Sequence, residues 1–465
     1  MDYDVLILGG GLVGCSIAYE LSKYNLNIAL IEKDYDIADD ISIINTEIVY
    51  AGLEIKDNEA TLLQHKGNQL MDELANKFNV PFKRCGSIIL AEDKETEDKL
   101  KSIYENNKDK EGYNVKLINR DDISKLEPEL KGLYSSALYC EDIGVISPCE
   151  LALGYGEVAF QNNVNFKLEE EVIDIENIAK GFRVVTNKNR FTCKIVINTT
   201  PGENYSMDFS QPCCDNTEKE YANIISLNKY YNNGYKRVIF SLNKDGDKTI
   251  SCPTNKDETI GLICSNDNFK NHLVIEKVSK LIPDIKANYI NSFFTSEFCK
   301  NDIIIDDSQI KDGYVKIRGK HPAIVTMTPA IAEKVRDNIL GILKCKPKKE
   351  FLDKRREYYR FNEMSNEERN EIIRLNNRYG KIVCSCERIT EGEIVDAIRR
   401  PLGARTIEGI KRRTGVCFGR CQGSQCFNEV VSILARETNK SINDIVKDSK
   451  NSKIILNRIK EFDEM

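Results

Sequence analysis

The stretch Asp4-Val5-Leu6-Ile7-Leu8-Gly9-Gly10-Gly11-Leu12-Val13-Gly14 decides the fold of the first part of the chain. An apolar run ends in Gly9-x-Gly11-x-x-Gly14, and a helical pattern and a second apolar run follow it. This succession predicts a βαβ unit. The three glycines permit a sharp turn, let a pyrophosphate approach the backbone and allow the helix to pack against the strand.

Glu32 ends the second apolar run and follows Gly14 by eighteen residues. An acidic side chain at this distance is placed to accept hydrogen bonds from a ribose, while the phosphates meet the positive end of the helix. The sequence therefore predicts dinucleotide binding at Gly9, Gly11, Gly14 and Glu32. The alternative is a βαβ unit that has kept its packing and lost its ligand.

A second group of residues with recognisable chemistry lies near the end of the chain, in Cys384-Ser385-Cys386 and in the segment from Cys417 through Cys421 to Cys426. Two loops that each supply a pair of thiolates suit a 2Fe-2S cluster, whose irons take two sulfur ligands each. Spacing fixes the first pair as Cys384 and Cys386. It leaves the second pair open between Cys417 with Cys421 and Cys421 with Cys426. Structural zinc is the alternative, although the Cys-x-Cys spacing differs from the usual zinc pattern.

The region around these cysteines is basic, because residues 381–426 contain nine Lys and Arg against five Asp and Glu. Among them are Arg412, Arg413 and Arg420. One interpretation is that they offset the negative charge of a cluster and raise its potential. The other is an ordinary solvated helix face.

Length and composition narrow the functional class. The chain has 465 residues, 41% hydrophobic and 30% charged, with a formal net charge of −6. These values are typical of a globular protein of two or three domains and give no broad basic surface for nucleic acid. No export signal and no apolar run of membrane-spanning length are evident, so we expect a cytoplasmic protein. In that setting the sixteen cysteines are expected to be reduced or metal-bound.

The remaining pattern divides the chain into successive parts. Helical periodicity is evident over residues 59–78, and a second α/β passage, with a helix from Ser147, covers residues 147–200. Residues 220–320 show short strand signals and turn residues that predict an antiparallel sheet. A helix is expected around Thr328 to Ala332, with Pro329 near its first turn. A charged linker is predicted at 346–380, a cysteine module at 381–436 and a helical tail at 437–465.

Taken together, the chain resembles the FAD-dependent glycerol-3-phosphate dehydrogenase and D-amino-acid-oxidase-like superfamily, in the bacterial form with a C-terminal bacterioferritin-associated-ferredoxin-like (BFD-like) 2Fe-2S domain. The matching residues are Gly9-x-Gly11-x-x-Gly14, Glu32-Lys33, Ala51-Gly52, Lys66-Gly67-Asn68, 80–87, Ile197-Asn198, 328–332, Cys384-x-Cys386-Glu387 and Gly419-Arg420-Cys421-Gln422-Gly423-x-x-Cys426. The last motif is the most specific.

The resemblance implies an α/β fold: a Rossmann-type FAD-binding domain with an inserted mixed or antiparallel substrate-side sheet, followed by a small helical BFD-like iron-sulfur domain. The oxidoreductase domain would span 1–345, with nucleotide-binding parts at about 1–90, 147–205 and 315–345. FAD would lie against Gly9, Gly11, Gly14, Glu32 and Lys33, with Val172 near its adenine. The cluster ligands would be Cys384, Cys386, Cys421 and Cys426, which leaves Cys417 as an extra thiol.

The activity implied by the resemblance is oxidation of a small hydroxy- or amino-substituted substrate, such as glycerol 3-phosphate. Electrons would pass through flavin to the 2Fe-2S cluster and on to an acceptor protein or partner subunit. The chain departs from the family around the flavin, where Tyr50 replaces a His and Ile324 replaces a Gly. The alternative function is therefore a noncatalytic electron-transfer or scaffold subunit. His321, near the expected flavin, is a candidate base or a structural residue.

Overall fold

The computed structural model describes residues 1–39, 47–53, 58–130, 136–200, 219–228, 231–242, 246–255, 258–299, 304–318 and 321–455, together with positions 132, 134, 202, 203, 205, 206 and 208. The last ten positions of the predicted tail lie outside these residues. The strands of the described chain are β1 Tyr3–Leu8, β2 Ile28–Ile31, β3 Ile48–Val49, β4 Phe82–Arg84, β5 Ser87–Ala91, β6 Val115–Asn119, β7 Ser136–Cys140, β8 Gly144–Ile146, β9 Asn165–Lys167, β10 Val172–Ile178, β11 Gly181–Thr186, β12 Arg190–Asn198, β13 Lys219–Leu227, β14 Val238–Leu242, β15 Lys248–Pro253, β16 Thr259–Ser265, β17 Ile290–Cys299, β18 Ile305–Asp306, β19 Tyr314–Ile317, β20 Ile382–Cys384 and β21 Ile389–Thr390.

Its α-helices are α1 Leu12–Ser22, α2 Glu59–Phe78, α3 Lys94–Asn107, α4 Arg120–Leu126, α5 Pro148–Gln161, α6 Asn271–Val278, α7 Ile324–Leu343, α8 Asn366–Leu375, α9 Glu391–Arg399, α10 Ile407–Thr414 and α11 Phe427–Thr438. Short 3-10 turns cover Ala287–Tyr289, Ile310–Asp312, Asn377–Gly380 and Ile442–Asp444. Within the described ranges, no helix combines the length and the apolar character needed to cross a bilayer.

The first sheet confirms the predicted Rossmann-type fold. Its parallel strands are arranged in the order β9, β2, β1, β12 and β19. The antiparallel pair β10 and β11 joins the first half of β12. In β1, Val5 and Ile7 pack toward the helices, whereas Leu6 and Leu8 pack toward β10 and β11. Both faces are buried, which explains the continuous apolar run in the sequence.

Helices cover one face of this sheet. Helix α1 packs against α5 and α7, and α2 packs against α7. Helix α2 begins where Asn58 accepts a hydrogen bond from the backbone N–H of Thr61, while the Thr61 side chain accepts one from the Asn58 N–H. This capping box satisfies two N–H groups that the helix leaves unpaired, and it fixes the predicted helix start.

The second sheet has the order β17, β13, β16, β15, β14, β5, β7 and β6. All its neighbouring strands are antiparallel except β14 and β5, which run parallel. This is the mixed, largely antiparallel substrate-side sheet predicted from the sequence. A small sheet of β3, β8 and β4 lies beside it.

Two predictions need correction. Helix α7 begins at Ile324, so Pro329 is its sixth residue and lies inside it rather than near the first turn. The helical turn before Pro329 is held by tertiary contacts, which explains the earlier helix start. Thr326 in that turn is fully buried, and its hydroxyl accepts a hydrogen bond from the Tyr50 N–H at 2.9 Å. Beyond α11, the described tail has one 3-10 turn and a bridge between Val446 and Lys453 instead of the predicted helix.

The segment predicted as a charged linker is packed against the first sheet's helices. Residues 346–365, which we call the strap, contain no helix, and α8 follows them. The Lys348 N–H donates to the carbonyl of Lys23 at 2.8 Å, and the Leu352 N–H donates to Asn162 at 3.1 Å. The strap therefore connects the two halves of the chain along a fixed path.

The cysteine module has its own apolar core, formed by side chains of α9, α10 and α11. Helix α9 starts at a capping box, in which Thr390 and Glu393 exchange hydrogen bonds between side chain and backbone. Helix α11 follows directly after Cys426. The module is therefore helical, as the sequence predicted.

Candidate cofactor sites

The glycine loop between β1 and α1 forms a cradle at the start of the helix. A Cβ on Gly14 would lie 2.0 Å from the Gly9 carbonyl oxygen, whereas a Cβ on Gly11 would meet nothing within 4 Å. Gly9 has a φ of +98°, a conformation that other residues adopt at a cost. No side chain caps α1, and its first turn contains no acidic residue. The positive end of this helix is thus available to an anion.

Glu32 lies directly beside this loop. Its Oε2 accepts a hydrogen bond from the Gly10 N–H at 2.6 Å, and its Oε1 accepts one from the Asp34 N–H at 2.9 Å. Burial raises the pKa of Glu32 above its usual value, and these two N–H donors act in the opposite direction. The carboxylate and the cradle together fit the ribose and pyrophosphate of a dinucleotide.

The other two predicted flavin contacts lie nearby. Lys33 follows Glu32 and is exposed. Val172 is partly buried at the start of β10, and Glu170, two residues earlier, donates its N–H to the Glu32 carbonyl at 2.9 Å. The fold therefore brings the chain just before Val172 into contact with Glu32, although 140 residues separate Val172 from Glu32 in the sequence.

The residues expected near the reactive part of a flavin are held by backbone contacts. The Tyr50 carbonyl accepts a hydrogen bond from the Asn68 side chain at 2.8 Å, and its N–H is bonded to Thr326. His321 Nδ1 accepts a hydrogen bond from the Ala323 N–H at 3.0 Å, at the start of α7. Burial lowers the pKa of His321 to about 4, and nearby Lys248 adds to the shift. The neutral ring then carries its proton on Nε2, which favours a structural or donor role over that of a base.

Five thiols converge in the cysteine module. Cys384, Cys417 and Cys426 are buried, whereas Cys386 and Cys421 are partly exposed. The two loops touch there, since a Cβ on Gly419 would lie 2.3 Å from the Cys386 Cβ. The N–H of Gln425 is the largest contribution lowering the pKa of Cys421, whereas burial is the largest raising that of Cys426.

Cys417 is also in contact with this group, because its Sγ lies 3.5 Å from the Sγ of Cys426. Its backbone has a φ of +66°, which is uncommon for a residue with a side chain. Gly423 allows the close approach, since a Cβ there would lie 3.3 Å from the Cys417 sulfur. The geometry therefore leaves the choice between Cys417 and Cys426, as partner of Cys421, as open as the spacing did.

The donor set fits an iron-sulfur cluster. Soft thiolates are the ligands that such clusters take, and a 2Fe-2S cluster needs two on each iron rather than four around one ion. Over the ranges that the structure describes, no three Cys, His, Asp or Glu side chains are arranged to hold a single metal ion.

Arg412 and Arg413 do not form a solvated face, nor are they free to offset the charge of a cluster. Both side chains are buried and form ion pairs with acids of the first sheet's loop after β2. Arg413 pairs with Asp36, and Arg412 pairs with Asp39. Burial raises the pKa of Asp39 to about 7, and the charge of Arg412 works against this shift.

A second buried contact joins the same two halves of the chain. Glu157 of α5 accepts hydrogen bonds from Arg355 of the strap at 2.8 and 3.0 Å, and it lies 3.1 Å from Arg400 of the module. Neither Glu157 nor Asp36 was predicted from the sequence. A signal for Glu157 was present, because it is an acid within the largely apolar segment of α5.

A cleft of about 790 Å³ separates the cysteine loops from the substrate-side sheet. Phe418 and Gln422 line it on the side of the module, whereas Asn255 and Asn288 line it on the opposite side. The glycine cradle does not contribute to this cleft. The cysteine loops therefore face an open space that is separate from the nucleotide site.

Comparison with known families gives two matches. Residues 4–335 match the family described as FAD dependent oxidoreductase, and residues 382–436 match the BFD-like [2Fe-2S] binding domain. The second match supports an iron-sulfur cluster in the cysteine module rather than a structural zinc ion.

Individual proteins similar to this chain include a glycerol 3-phosphate dehydrogenase and a glycerol 3-phosphate oxidase. The chain is 34% identical to a glycerol 3-phosphate dehydrogenase of Caloramator mitchellensis, over 97% of this chain and 98% of that protein. A glycerol 3-phosphate oxidase of Mycoplasma pneumoniae is 26% identical over 41% of this chain and 50% of that protein. The FAD-bound structure of L-alpha-glycerophosphate oxidase from Mycoplasma pneumoniae has a TM-score of 0.66 at 20% identity, and covers 77% of this chain and 99% of that one.

Proposed function

Because the chain belongs to the family of FAD dependent oxidoreductases and carries a BFD-like 2Fe-2S domain, we propose that it passes electrons from a small substrate through FAD to the cluster. The proposed substrate is glycerol 3-phosphate or a closely similar hydroxy- or amino-substituted compound. Support for the substrate comes from the dehydrogenase of Caloramator mitchellensis, to which the chain is similar over almost its full length.

We assign the FAD phosphates to the cradle of Gly9, Gly11 and Gly14, and the adenosine ribose to Glu32. Lys33 and Val172 complete the adenosine end of this proposed site. The uncapped helix start attracts the phosphates, while Glu32 presents its oxygens to the ribose hydroxyls. When bound, FAD supplies the capacity to accept a hydride from a carbon that bears a hydroxyl or an amine.

We assign the cluster to Cys384, Cys386, Cys421 and Cys426. The resemblance selects Cys426 over Cys417 as the partner of Cys421 in the second pair. A cluster held here would accept electrons one at a time. The cleft beside the cysteine loops is the proposed exit to an acceptor protein or partner subunit.

The observation that carries the proposal is the buried attachment of the cysteine module to the nucleotide-binding half. Glu157, Arg355 and Arg400 are each at most 6% exposed, and Asp36 pairs with Arg413 in a second buried contact. A module attached at two such points stays at one distance from the nucleotide site, as electron transfer between two cofactors requires.

Anaerobic purification followed by substrate addition tests this function. We expect one FAD, two irons and two sulfides per chain. Adding glycerol 3-phosphate without oxygen should bleach the flavin absorbance and then produce the low-temperature spin signal of a reduced cluster. Bleaching without cluster reduction would refute the electron path. Iron and sulfide without FAD would instead support the noncatalytic electron-transfer or scaffold subunit.

A further inference from the structure

Arg413 is anchored inside the cysteine module but reaches the loop that follows β2. Its guanidinium donates to the carbonyls of Gly409 at 3.0 Å and Leu402 at 2.7 Å. The same group donates to both oxygens of Asp36, at 2.5 and 2.7 Å. A two-pronged contact between an arginine and a carboxylate fixes orientation as well as distance. Both side chains are at most 2% exposed.

Asp36 belongs to a turn that is bonded to the phosphate cradle. The Asp36 carboxylate accepts the Ile37 N–H at 2.9 Å, and the Ala38 N–H donates to the Gly10 carbonyl at 3.0 Å. Ala38 has a φ of +61°. This conformation costs energy in an alanine and persists only where surrounding contacts impose it. The pair of hydrogen bonds from Arg413 to Asp36 is one such contact.

Gly10 is therefore held from two sides. Its N–H donates to Glu32, and its carbonyl accepts from Ala38. The neighbouring Gly9 and Gly11 are the residues that we assign to the FAD phosphates. Only Ile37 and Ala38 lie between Asp36 and the hydrogen bond to Gly10, so a displacement of Asp36 would also displace this loop.

From this chain of contacts we propose that Arg413 is a positioning residue for FAD. Its two hydrogen bonds to Asp36 fix the turn from Asp36 to Ala38. Through the Ala38 N–H, this turn fixes the position of the Gly10 carbonyl. Docking of the cysteine module and binding of FAD are then coupled, and by linkage each strengthens the other. The inference rests on the proposed flavin site and adds that the iron-sulfur module is part of that site's support.

Gly409 offers a test that alters no charge. A Cβ at this position would lie 2.7 Å from Asp36 Oδ2 and 3.1 Å from Thr406 Oγ1. Alanine favours helix over glycine, so Gly409→Ala supports α10 itself while it forces Asp36 away. The matched control is Gly341→Ala, since Gly341 lies in α7 and a Cβ there would meet nothing within 4 Å.

The experiment titrates FAD into the FAD-free full chain and follows flavin fluorescence. We expect Gly409→Ala and Arg413→Lys to raise the Kd for FAD at least tenfold with iron and sulfide content unchanged. Gly341→Ala should stay within twofold of the unaltered chain. A Kd within twofold in Gly409→Ala and Arg413→Lys, with the cluster intact, would overturn the coupling.

Hydrogen exchange on the unaltered chain provides a test that does not depend on variants folding. FAD should slow amide exchange over residues 402–414 of the module as well as over 9–14 and 36–38. Protection of residues 9–14 and 36–38 without protection of residues 402–414 would overturn the proposal. These measurements need no substrate, so a wrong substrate assignment leaves them intact. An unaltered chain that fails to bind FAD would refute this coupling and the proposed flavin site together.

Discussion

Replacing Glu157 by Gln tests how firmly the cysteine module is attached. The Glu157 carboxylate is fully buried and is shared by Arg355 and Arg400, whose side chains are only 2% and 3% exposed. Gln keeps one carbonyl acceptor but removes the negative charge. Two buried guanidinium groups then lose their counter-charge, and burial already lowers the pKa of Arg400, an effect that Glu157 opposes.

Removing one partner of a buried ion pair costs about 3–5 kcal/mol. We expect Glu157→Gln to lower the free energy of unfolding by about this amount, because two arginines depend on the same carboxylate. Urea titration followed by far-ultraviolet circular dichroism and by the visible absorbance of the cluster measures the loss.

Glu95→Gln is the control for this measurement. Glu95 lies 2.9 Å from Lys99 in α3, with side chains 78% and 52% exposed. Exposed pairs at this spacing contribute about 0.3–0.5 kcal/mol, so the control should change stability very little. A loss below about 1 kcal/mol in Glu157→Gln would refute the view that this contact attaches the module.

Three further predictions concern the cofactor sites and their pH dependence. Gly14→Ala places a Cβ 2.0 Å from the Gly9 carbonyl oxygen. Forcing an extra carbon into filled space costs about 1–3 kcal/mol, so the Kd for FAD should rise about 5- to 150-fold in a fluorescence titration. Cys426→Ser should abolish most bound iron and sulfide while Cys417→Ser retains both, and the reverse result in a metal assay would reassign the ligand to Cys417. Burial raises the pKa of Asp39 from 3.8 to about 7, so the folded chain binds an extra proton in that range and its stability falls as pH rises through it. Asp39→Asn should remove this part of the slope in denaturation curves recorded from pH 5 to 8, and an unchanged slope would contradict the assignment.

Local sequence rules predicted much of the fold. The glycine loop and the helix over residues 59–78 depend on residues within a few positions of one another, so their patterns can be read directly. The position of Pro329 was misjudged for the opposite reason. Helix α7 extends five residues before it because Thr326 is bonded to Tyr50, 276 residues away in the sequence.

The sequence by itself determined the class of chemistry, because the glycine spacing of a nucleotide loop and the cysteine spacing of a cluster are local requirements. It left the roles of Arg412 and Arg413 undecided, and it predicted a linker where the chain after residue 345 is packed. Only the tertiary structure supplied their partners, since Arg413 and Asp36 are 377 positions apart. A buried charge is stable only beside a specific counter-charge, and which acid that is depends on how the module docks.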